Sequence, residues 1–250
     1  MADEERDKIS FKKREFRGSR FRCLLVTQQP KPRVVAFLNS IVQPIATVGK
    51  QDRYMPEGFC KPGETKLGDE TSGFLTAEQR EDATDWWLAV RQKANTPNWD
   101  IVSRCTIDGH KGLVMVEAKA HAGELNPNDC CGAQNEQNRQ RLDDAIRLAN
   151  QKLGEGWKLS TDSRYQLSNR FAWAWKLASL GVPVVLVYLG FLNASEMNQP
   201  FATHEAWERC LLAYADGTVP RSVWNSDRLR VNGAHLIPLI RSTDVNVTAS

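Results

Sequence analysis

A carboxylate and an ammonium group directly follow an apolar run in the first half of the chain. Residues 113–116 read Leu-Val-Met-Val, and Glu117 and Lys119 come next with Ala118 between them. A charge buried without a partner in a sheet is costly, or its pKa changes until the group is neutral. We therefore expect these two charges to have partners, and metal-ion or acid–base chemistry is what such a group can perform.

Two strands are predicted in this part of the chain. The first begins near an acid, and the second contains Glu117 and Lys119. Residues 99–107 and 113–120 have the composition of strands, and the DGHKG sequence between them predicts a tight turn. The strands should form a hairpin, with Asp100 at the start of its first strand. Asp108 is the rival acid, but it lies in the turn, too far along the strand to reach Glu117.

The register of this hairpin decides which side chains meet. A turn centred near His110 places Val102 opposite Glu117, and Asp100 opposite Lys119 or the residue after it. Strand alternation puts Glu117 and Lys119 on one face, and Asp100 can lean toward them. Two carboxylates suit a hard divalent cation, Mg²⁺ or Mn²⁺, because the ion offsets their repulsion. The lysine would then stabilise charge on a phosphate or hold the attacking water.

An Asp, a hairpin and then Glu-x-Lys resemble the signature of the PD-(D/E)XK nuclease superfamily, which has the restriction-endonuclease-like fold. The matching residues are Asp100, Glu117 and Lys119, with Trp99 where the family often has proline. The resemblance covers roughly residues 76–191. It implies a metal-dependent nuclease in which Asp100 and Glu117 bind Mg²⁺ or Mn²⁺ and Lys119 assists the attacking water. It also implies nucleic acid as the substrate, with DNA favoured.

The resemblance implies further residues around this site. In the family, an acid on the preceding helix often joins the metal ligands, and Glu81 or Asp85 would take that place here. A later helix often directs polar side chains at the site, and this chain offers Gln166, Asn169 and Arg170. Arg170 would contact a phosphate of the substrate. Each of these residues also has a plainer interpretation, as a polar group on a helix surface.

His121 and Glu124 come just after the motif. They are candidates for groups that support the metal ligands, and equally for ordinary loop residues. A zinc site from Cys130, Cys131 and His121 is a further alternative, although this spacing fits no familiar set of zinc ligands.

Two features depart from the family pattern: one strand of the family core is missing from the expected place, and the sequence has no second region typical of a specific DNA-reading domain. The family core has a strand between the first helix and the strand that bears the Asp, whereas only residues 94–98 separate those elements here. That strand is either absent or supplied by the chain before Gly49. A second Glu-x-Lys, beginning at Glu64 with Asp52 upstream, lies in a Gly- and Pro-rich segment without an apolar strand, and we discard it.

The remaining elements predict an α/β fold with a mixed β-sheet flanked by helices on both faces. The strand at residues 183–191 is apolar throughout, so helices must cover both sides of its sheet. Helices are predicted at residues 76–93 with Thr76 and Gln79 as a capping box, at 135–153, at 162–180 with Asp162 or Ser163 as cap, and near 204–214.

The chain is predicted to have a basic N-terminal arm over residues 1–22 and one nuclease-like domain over residues 23–250, with its core at about 76–191. The arm is either solvated or in contact with phosphates. Residues 33–48 are apolar enough to enter the core as a strand or a helix. Residues 49–73 are rich in Gly, Pro and charge and predict a surface loop.

The composition of the chain bears on which kinds of partner and which cellular compartment to expect. Lys and Arg number 33 against 30 Asp and Glu, and a net charge of +3 does not by itself indicate nucleic-acid binding. No apolar run approaches the roughly 20 residues that span a bilayer, and the N-terminus does not resemble a secretory signal. The six cysteines form no C-x-x-C pair and are expected to be free thiols. We therefore expect a cytoplasmic protein with no membrane partner.

The sequence thus favours a metal-dependent phosphodiesterase that acts on nucleic acid. One alternative is a non-catalytic protein that keeps the nuclease fold and binds nucleic acid or a protein partner. Another is a metal hydrolase for a small phosphate-containing compound. The sequence leaves a homodimer open.

Overall fold

Helices and strands alternate along the part of the chain that this computed structural model describes, residues 17–225, 228–245 and 247. The helices are α1 (Gly18–Thr27), α2 (Lys31–Val42), α3 (Ala77–Trp87), α4 (Glu136–Leu153), α5 (Tyr165–Ser179) and α6 (His204–Ala215). The strands are β1 (Tyr54–Met55), β2 (Thr65–Lys66), β3 (Asn98–Trp99), β4 (Ile101–Ile107), β5 (His110–Lys119), β6 (Val184–Leu192), β7 (Leu229–Val231) and β8 (Ala234–Asp244).

A six-stranded mixed sheet in the order β1-β4-β5-β6-β8-β7 forms the centre of the fold. The neighbours β5, β6 and β8 run parallel, while β4 pairs with β5, β1 with β4 and β7 with β8 in antiparallel fashion. Strands β2 and β3 form a separate two-stranded sheet. The predicted α/β architecture with a mixed sheet is confirmed.

Strand β6 shows why helices cover both faces of this sheet. Every residue of β6 except the last is buried. Leu186 and Tyr188 enter the core on the side of α3 to α6, whereas Val185 and Val187 enter the core on the side of α1 and α2. A strand covered on both sides is apolar at every position rather than at alternate ones, so the sequence-based prediction for this strand is confirmed.

The turn between β4 and β5 corrects the predicted register. Asp108 and Gly109 form it with φ angles of 48° and 80°, the positive values that a two-residue type I′ turn requires. The strands then pair Val102 with Met115. The prediction that Val102 lies opposite Glu117 is wrong by two residues because its turn was centred too far along the chain. A shift of two residues leaves every side chain on the same face.

The first segment of the chain differs from the predicted arm. Residues 1–16 lie outside the described residues, but residues 18–22 belong to α1 rather than to an arm. Phe21 and Arg22 are buried there, and α1 contacts the sheet through β5. The apolar stretch at 33–48, left open between strand and helix, forms most of α2 and the short segment after it.

The segment at residues 49–73 is not a plain loop, because it contains β1 and β2. Strand β1 pairs with β4, with Tyr54 opposite Ser103. The neighbour of β4 on this side of the sheet therefore comes from the chain after Gly49, not from before it. Leu67, just beyond β2, is fully buried and holds this segment against the main core.

Of the two predicted N-terminal helix caps, one is confirmed. Thr76 and Gln79 form the capping box of α3, and α4 begins after Asn135, whose side chain accepts the Asn138 N–H. Helix α3 ends at Trp87, earlier than expected. Neither Asp162 nor Ser163 caps α5; its Gln166 N–H donates instead to the carboxylate of Asp129 at 2.7 Å.

All six cysteines lie within the described residues, and all six are free. Within the same residues, the structure contains no helix with the length and apolar character needed to cross a membrane.

Candidate active site

Glu117 and Lys119 lie on the face of β5 that α5 covers. Met115, on the same face, packs into the core around α5, whereas Val116 and Ala118 pack on the opposite side against α1 and α2. Glu117 is 1 % exposed and Lys119 is 6 % exposed. The two charges therefore lie where the sequence predicted them, side by side and buried.

Two cations hold the Glu117 carboxylate. Lys119 Nζ donates to its Oε1 at 2.5 Å, and Arg170 Nε donates to its Oε2 at 2.5 Å. Burial is the largest influence on the pKa of Glu117 and would raise it, but Arg170 and Lys119 outweigh burial and lower the pKa. Burial would likewise lower the pKa of Lys119 and of Arg170, yet Glu117 raises both. All three groups are charged at neutral pH.

Asp100 joins this pair from the chain between β3 and β4. Continued by one residue, the β4–β5 register places Asp100 across from Glu117. Its Oδ2 accepts the Ala118 N–H at 2.7 Å. Burial and then the nearby Glu117 carboxylate raise the pKa of Asp100 from its ordinary 3.8 to about 7. Asp100, Glu117 and Lys119 thus come together at one end of the hairpin.

The raised pKa of Asp100 predicts how stability depends on pH in EDTA, where no divalent ion is available. Folding favours the protonated carboxyl, so its stabilising contribution is complete below about pH 4 and is lost as the pH rises to about 7. We expect Asp100→Asn to remove this loss, since the amide oxygen can still accept the Ala118 N–H. The measurement is the free energy of unfolding in urea at pH 5 and pH 8. The difference in this free energy between the variant and the wild type should be larger at pH 8. An equal gap at both pH values would contradict the prediction.

Three polar side chains of α5 face this cluster at helical spacing. Gln166 Oε1 accepts a hydrogen bond from Lys119 Nζ at 2.8 Å, and Asn169 Oδ1 accepts one from Arg170 Nη1 at 2.7 Å. The Arg170 guanidinium also lies 4.7 Å from the centre of the Trp99 ring, a cation–π contact. Trp99 thus helps to hold Arg170.

His121 and Glu124 secure the chain just after β5. Glu124 Oε2 accepts the Ala120 N–H at 2.5 Å, and its Oε1 accepts the Ser19 hydroxyl at 2.8 Å. His121 Nδ1 accepts the Gly123 N–H at 3.2 Å. Glu124 therefore ties the end of β5 to α1, and the His121 ring caps a short turn rather than contacting Glu117 or Lys119.

Glu81, predicted as a metal ligand, is not brought to this cluster. Glu81 and Asp85 lie on the exposed side of α3, where both accept hydrogen bonds from Arg91, at 2.6 and 2.7 Å. The helix turns Ala83 and Trp87 to the core instead. Among the residues that the structure describes, no three His, Cys, Asp or Glu side chains form a group that could hold a metal ion. The structure thus pairs Glu81 with Arg91 instead of bringing it to Asp100 and Glu117, and among the described residues the zinc alternative at Cys130, Cys131 and His121 is not assembled.

Glu64 lies beside the site, although its Glu-x-Lys motif was discarded. Strand β2 pairs antiparallel with β3, with Thr65 opposite Trp99. One step further along this register, Glu64 lies across from Asp100, and its charge helps to raise the pKa of Asp100. Glu64 forms an ion pair at 3.9 Å with Arg20, whose side chain is more than half exposed. A two-residue strand has no apolar period, so sequence patterns could not reveal this placement.

A cleft of about 530 Å³ opens beside the cluster. Glu64, Glu124, Gln166, Asn169 and Arg170 are among the residues that line it. A second cleft of about 490 Å³ shares the lining residues Trp87, Asn95 and Tyr165 with the first. The depression therefore continues past the site, and sequence reasoning missed Tyr165 and Asp129 in its walls.

The donors present fit a divalent ion that takes only part of its ligands from the protein. Asp100 Oδ1 accepts no hydrogen bond from the described residues, and both Glu117 oxygens keep a lone pair beyond their contacts with the two cations. Mg²⁺ often binds through one or two carboxylates, completing its shell with waters and substrate phosphates. The pair Asp100 and Glu117 suits that kind of site.

Comparison of the chain with protein-family models, with curated proteins and with solved structures finds no match.

Proposed function

We propose that this chain is a metal-dependent phosphodiesterase that hydrolyses nucleic acid, with DNA favoured over RNA. The observation that carries the proposal is the convergence of Asp100, Glu117 and Lys119 at one end of the β4–β5 hairpin, next to a cleft. Two acids and a lysine so placed are the parts that metal-assisted hydrolysis of a phosphodiester needs.

Each residue has a separate role in this proposal. Asp100 and Glu117 would hold Mg²⁺ or Mn²⁺. When bound, the ion would supply Lewis-acid stabilisation of the phosphate and a water of lowered pKa. Lys119, kept charged by Glu117 and positioned by Gln166, would stabilise developing negative charge or orient the attacking water. Arg170 Nη2 makes no hydrogen bond to the described residues and is available to a phosphate oxygen.

We also propose that the fold is restriction-endonuclease-like and that the chain belongs to the PD-(D/E)XK superfamily. Support comes from the order of elements: helix α3, the hairpin with its acids, further helices and then the parallel strand β6. Two helices, α4 and α5, stand between the hairpin and β6. The extra strand β1 precedes α3 in sequence, which is a departure from the family order.

The direct test is cleavage of plasmid DNA, single-stranded DNA oligonucleotides and RNA by the purified protein. We expect cleavage of DNA with Mg²⁺ or Mn²⁺ and none in EDTA. Asp100→Asn, which alters one proposed ligand atom, should remove the activity under all conditions. Equal cleavage in EDTA, or full cleavage by the variant, would contradict the proposal.

A non-catalytic nucleic-acid-binding protein is the second candidate, and one observation favours it. Both oxygens of Glu117 are already paired with cations from the protein itself, so the cluster is stable without a metal. Metal titration by calorimetry separates the two candidates. Salt-sensitive DNA affinity without metal binding or cleavage would favour the binding protein.

Glu64 and Glu81 provide a matched pair of variants for the metal site. Glu64 lies across from Asp100, whereas Glu81 is paired with Arg91 on the exposed side of α3. We expect Glu64→Gln to weaken Mn²⁺ binding by about two- to tenfold, because one negative charge next to Asp100 is lost. This factor corresponds to a charge interaction with the ion of roughly 0.5–1.4 kcal/mol. Glu81→Gln should leave the affinity unchanged. Calorimetry measures both, and a larger effect at Glu81 would restore it as a ligand.

A further inference from the structure

The walls of the first cleft, beside the proposed metal ligands, carry more negative than positive charge. Among the described residues, the charged groups in its lining are three acids and one cation, Glu64, Glu124, Asp129 and Arg170. Asp100 and Glu117 add two more carboxyl groups next to it, against Lys119. A divalent ion would offset this charge where it binds, but neighbouring phosphates of the same strand would still face carboxylates. The first cleft therefore suits one phosphate and disfavours a second.

The second cleft has a different lining. Its volume of about 490 Å³ lies within the range of pockets that hold small molecules. Among the described residues that line it, only Lys93 is charged. Aromatic and apolar side chains share the rest of its wall with side-chain amides, and those used below are Trp87, Tyr165, Ala133, Gln92 and Asn95. A nucleobase has flat apolar faces and polar edges, so this wall suits a base better than a phosphate.

Two amides of the second cleft have hydrogen-bonding groups to spare. The side chain of Gln92 makes no hydrogen bond to the described residues. Asn95 Oδ1 accepts from Lys66 Nζ at 2.7 Å, while its Nδ2 donates to none of them. Lys66 and Lys93 also bring positive charge to this end of the depression, where the first cleft brings carboxylates. A strand that leaves the metal site in this direction therefore meets amides for a base and lysines for its next phosphate.

Tyr165 forms the wall between the two clefts. It is half-buried and lines both of them. The residue after it, Gln166, accepts the hydrogen bond from Lys119 Nζ. Trp87, the other aromatic side chain in both linings, already packs against Trp86 and other tryptophan rings, whereas Tyr165 contacts no aromatic ring of the described residues. Its ring is therefore the one in this wall that is available to stack on a ligand.

We infer that the second cleft binds an unpaired nucleobase of the strand whose phosphodiester lies at Asp100 and Glu117. Tyr165 stacks on this base, and the amides of Gln92 and Asn95 meet its polar edge. The inference rests on the proposed function and adds the class of substrate, which is single-stranded nucleic acid or the unpaired part of a longer one. A base inside a duplex is paired and stacked, and it must be extruded before it can enter the cleft.

The test is binding in EDTA, so that neither metal nor cleavage enters the measurement. Fluorescence anisotropy compares a labelled DNA single strand that contains all four bases with an abasic strand of the same length. Both have the same phosphates, so the salt-dependent attraction to the protein is the same. We expect the strand with bases to bind at least about fivefold more tightly, the lower end for stacking of one base. The matching duplex should compete less well than the single strand.

Two variants should remove this preference, and each has a matched control. Tyr165→Ala should weaken binding of the strand with bases and leave the abasic strand unchanged, while Tyr165→Phe, which keeps a ring, should stay close to wild type. Tyr54→Ala, at a half-buried tyrosine on the other side of the sheet, should change neither affinity. Ala133→Phe, which fills the second cleft, should act like Tyr165→Ala. Ala213→Phe, in a separate cleft beside α6, should not.

The outcomes separate this inference from the proposed function. Equal wild-type affinity for both strands would overturn the base pocket, while metal-dependent cleavage could still stand. Folded Tyr165→Ala and Ala133→Phe that keep the full preference would overturn the placement of the base, and if Tyr165→Ala does not fold, Ala133→Phe decides. A duplex that competes as well as the single strand would overturn the substrate class. A preference for bases without metal-dependent cleavage would support the pocket and contradict the proposed function, and a wild type that binds neither strand would contradict both.

Discussion

Lys119→Ala should remove metal-dependent cleavage almost completely, with a rate loss of about 10²- to 10⁴-fold, the usual worth of a positioned proton-transfer or charge-stabilising group. The fold should survive, because Glu117 keeps its contact with Arg170 at 2.5 Å and is not left as an unpaired buried charge. Initial rates of plasmid nicking at saturating Mg²⁺ measure the activity, and thermal unfolding checks the fold.

Lys111 provides the matched control for this variant. It lies on the same strand, β5, but its side chain is 81 % exposed. Its Nζ lies 3.9 Å from Asp52 Oδ1. Lys111→Ala should therefore nick DNA at the wild-type rate. Unchanged cleavage by folded Lys119→Ala, or an equal loss in both variants, would remove Lys119 from the proposed chemistry.

Glu117→Gln should have the largest effect on stability of any single isosteric change in the site. The carboxylate is the shared partner of Lys119 and Arg170, and a neutral amide leaves two buried cations without their counter-ion. Removing one partner from a buried ion pair typically costs about 3–5 kcal/mol. Cleavage should also be lost, since Glu117 is a proposed metal ligand. Urea unfolding at pH 7 measures the free energy of unfolding.

The difference in free energy of unfolding between the wild type and Glu117→Gln should depend on pH in one direction. Because the pKa of Glu117 is lowered in the folded protein, its contribution is present above the pKa of the unfolded chain and is lost as the pH falls through the folded value. The gap between wild type and Glu117→Gln should therefore narrow in acid. Glu81→Gln, which breaks an exposed and solvent-screened pair, should leave the free energy of unfolding close to that of the wild type. A Glu117 variant as stable as this control would show that the buried network contributes little.

The core of the site could be predicted from sequence because two strong local signals agree. Asp-Gly between apolar strands predicts a hairpin, and Glu117 and Lys119 two residues apart must share a face. The predicted register was wrong, yet the site was still found, because an error of two residues keeps every side chain on its face. The α5 residues Gln166 and Arg170 followed from the family resemblance, and the structure places both against the cluster.

What sequence could not show depends on contacts between distant segments. Strand β2 is two residues long and exists through its pairing with β3, so the position of Glu64 has no local signal. Glu81 has the right spacing from the hairpin, but the burial of Ala83 and Trp87 in the core fixes the rotation of α3 about its axis. That rotation leaves Glu81 on the exposed side of the helix. The carboxylate that accepts the Gln166 N–H at the start of α5 belongs to Asp129, which precedes the helix by more than thirty residues and lies outside any capping pattern.

The most direct test of the site is anomalous diffraction from crystals grown with Mn²⁺ and phosphate. The account predicts a manganese peak bonded to one oxygen each of Asp100 and Glu117, with a phosphate oxygen beside it and Arg170 turned to the phosphate. Manganese bound elsewhere, with Asp100 and Glu117 unchanged in a protein that cleaves DNA, would contradict it.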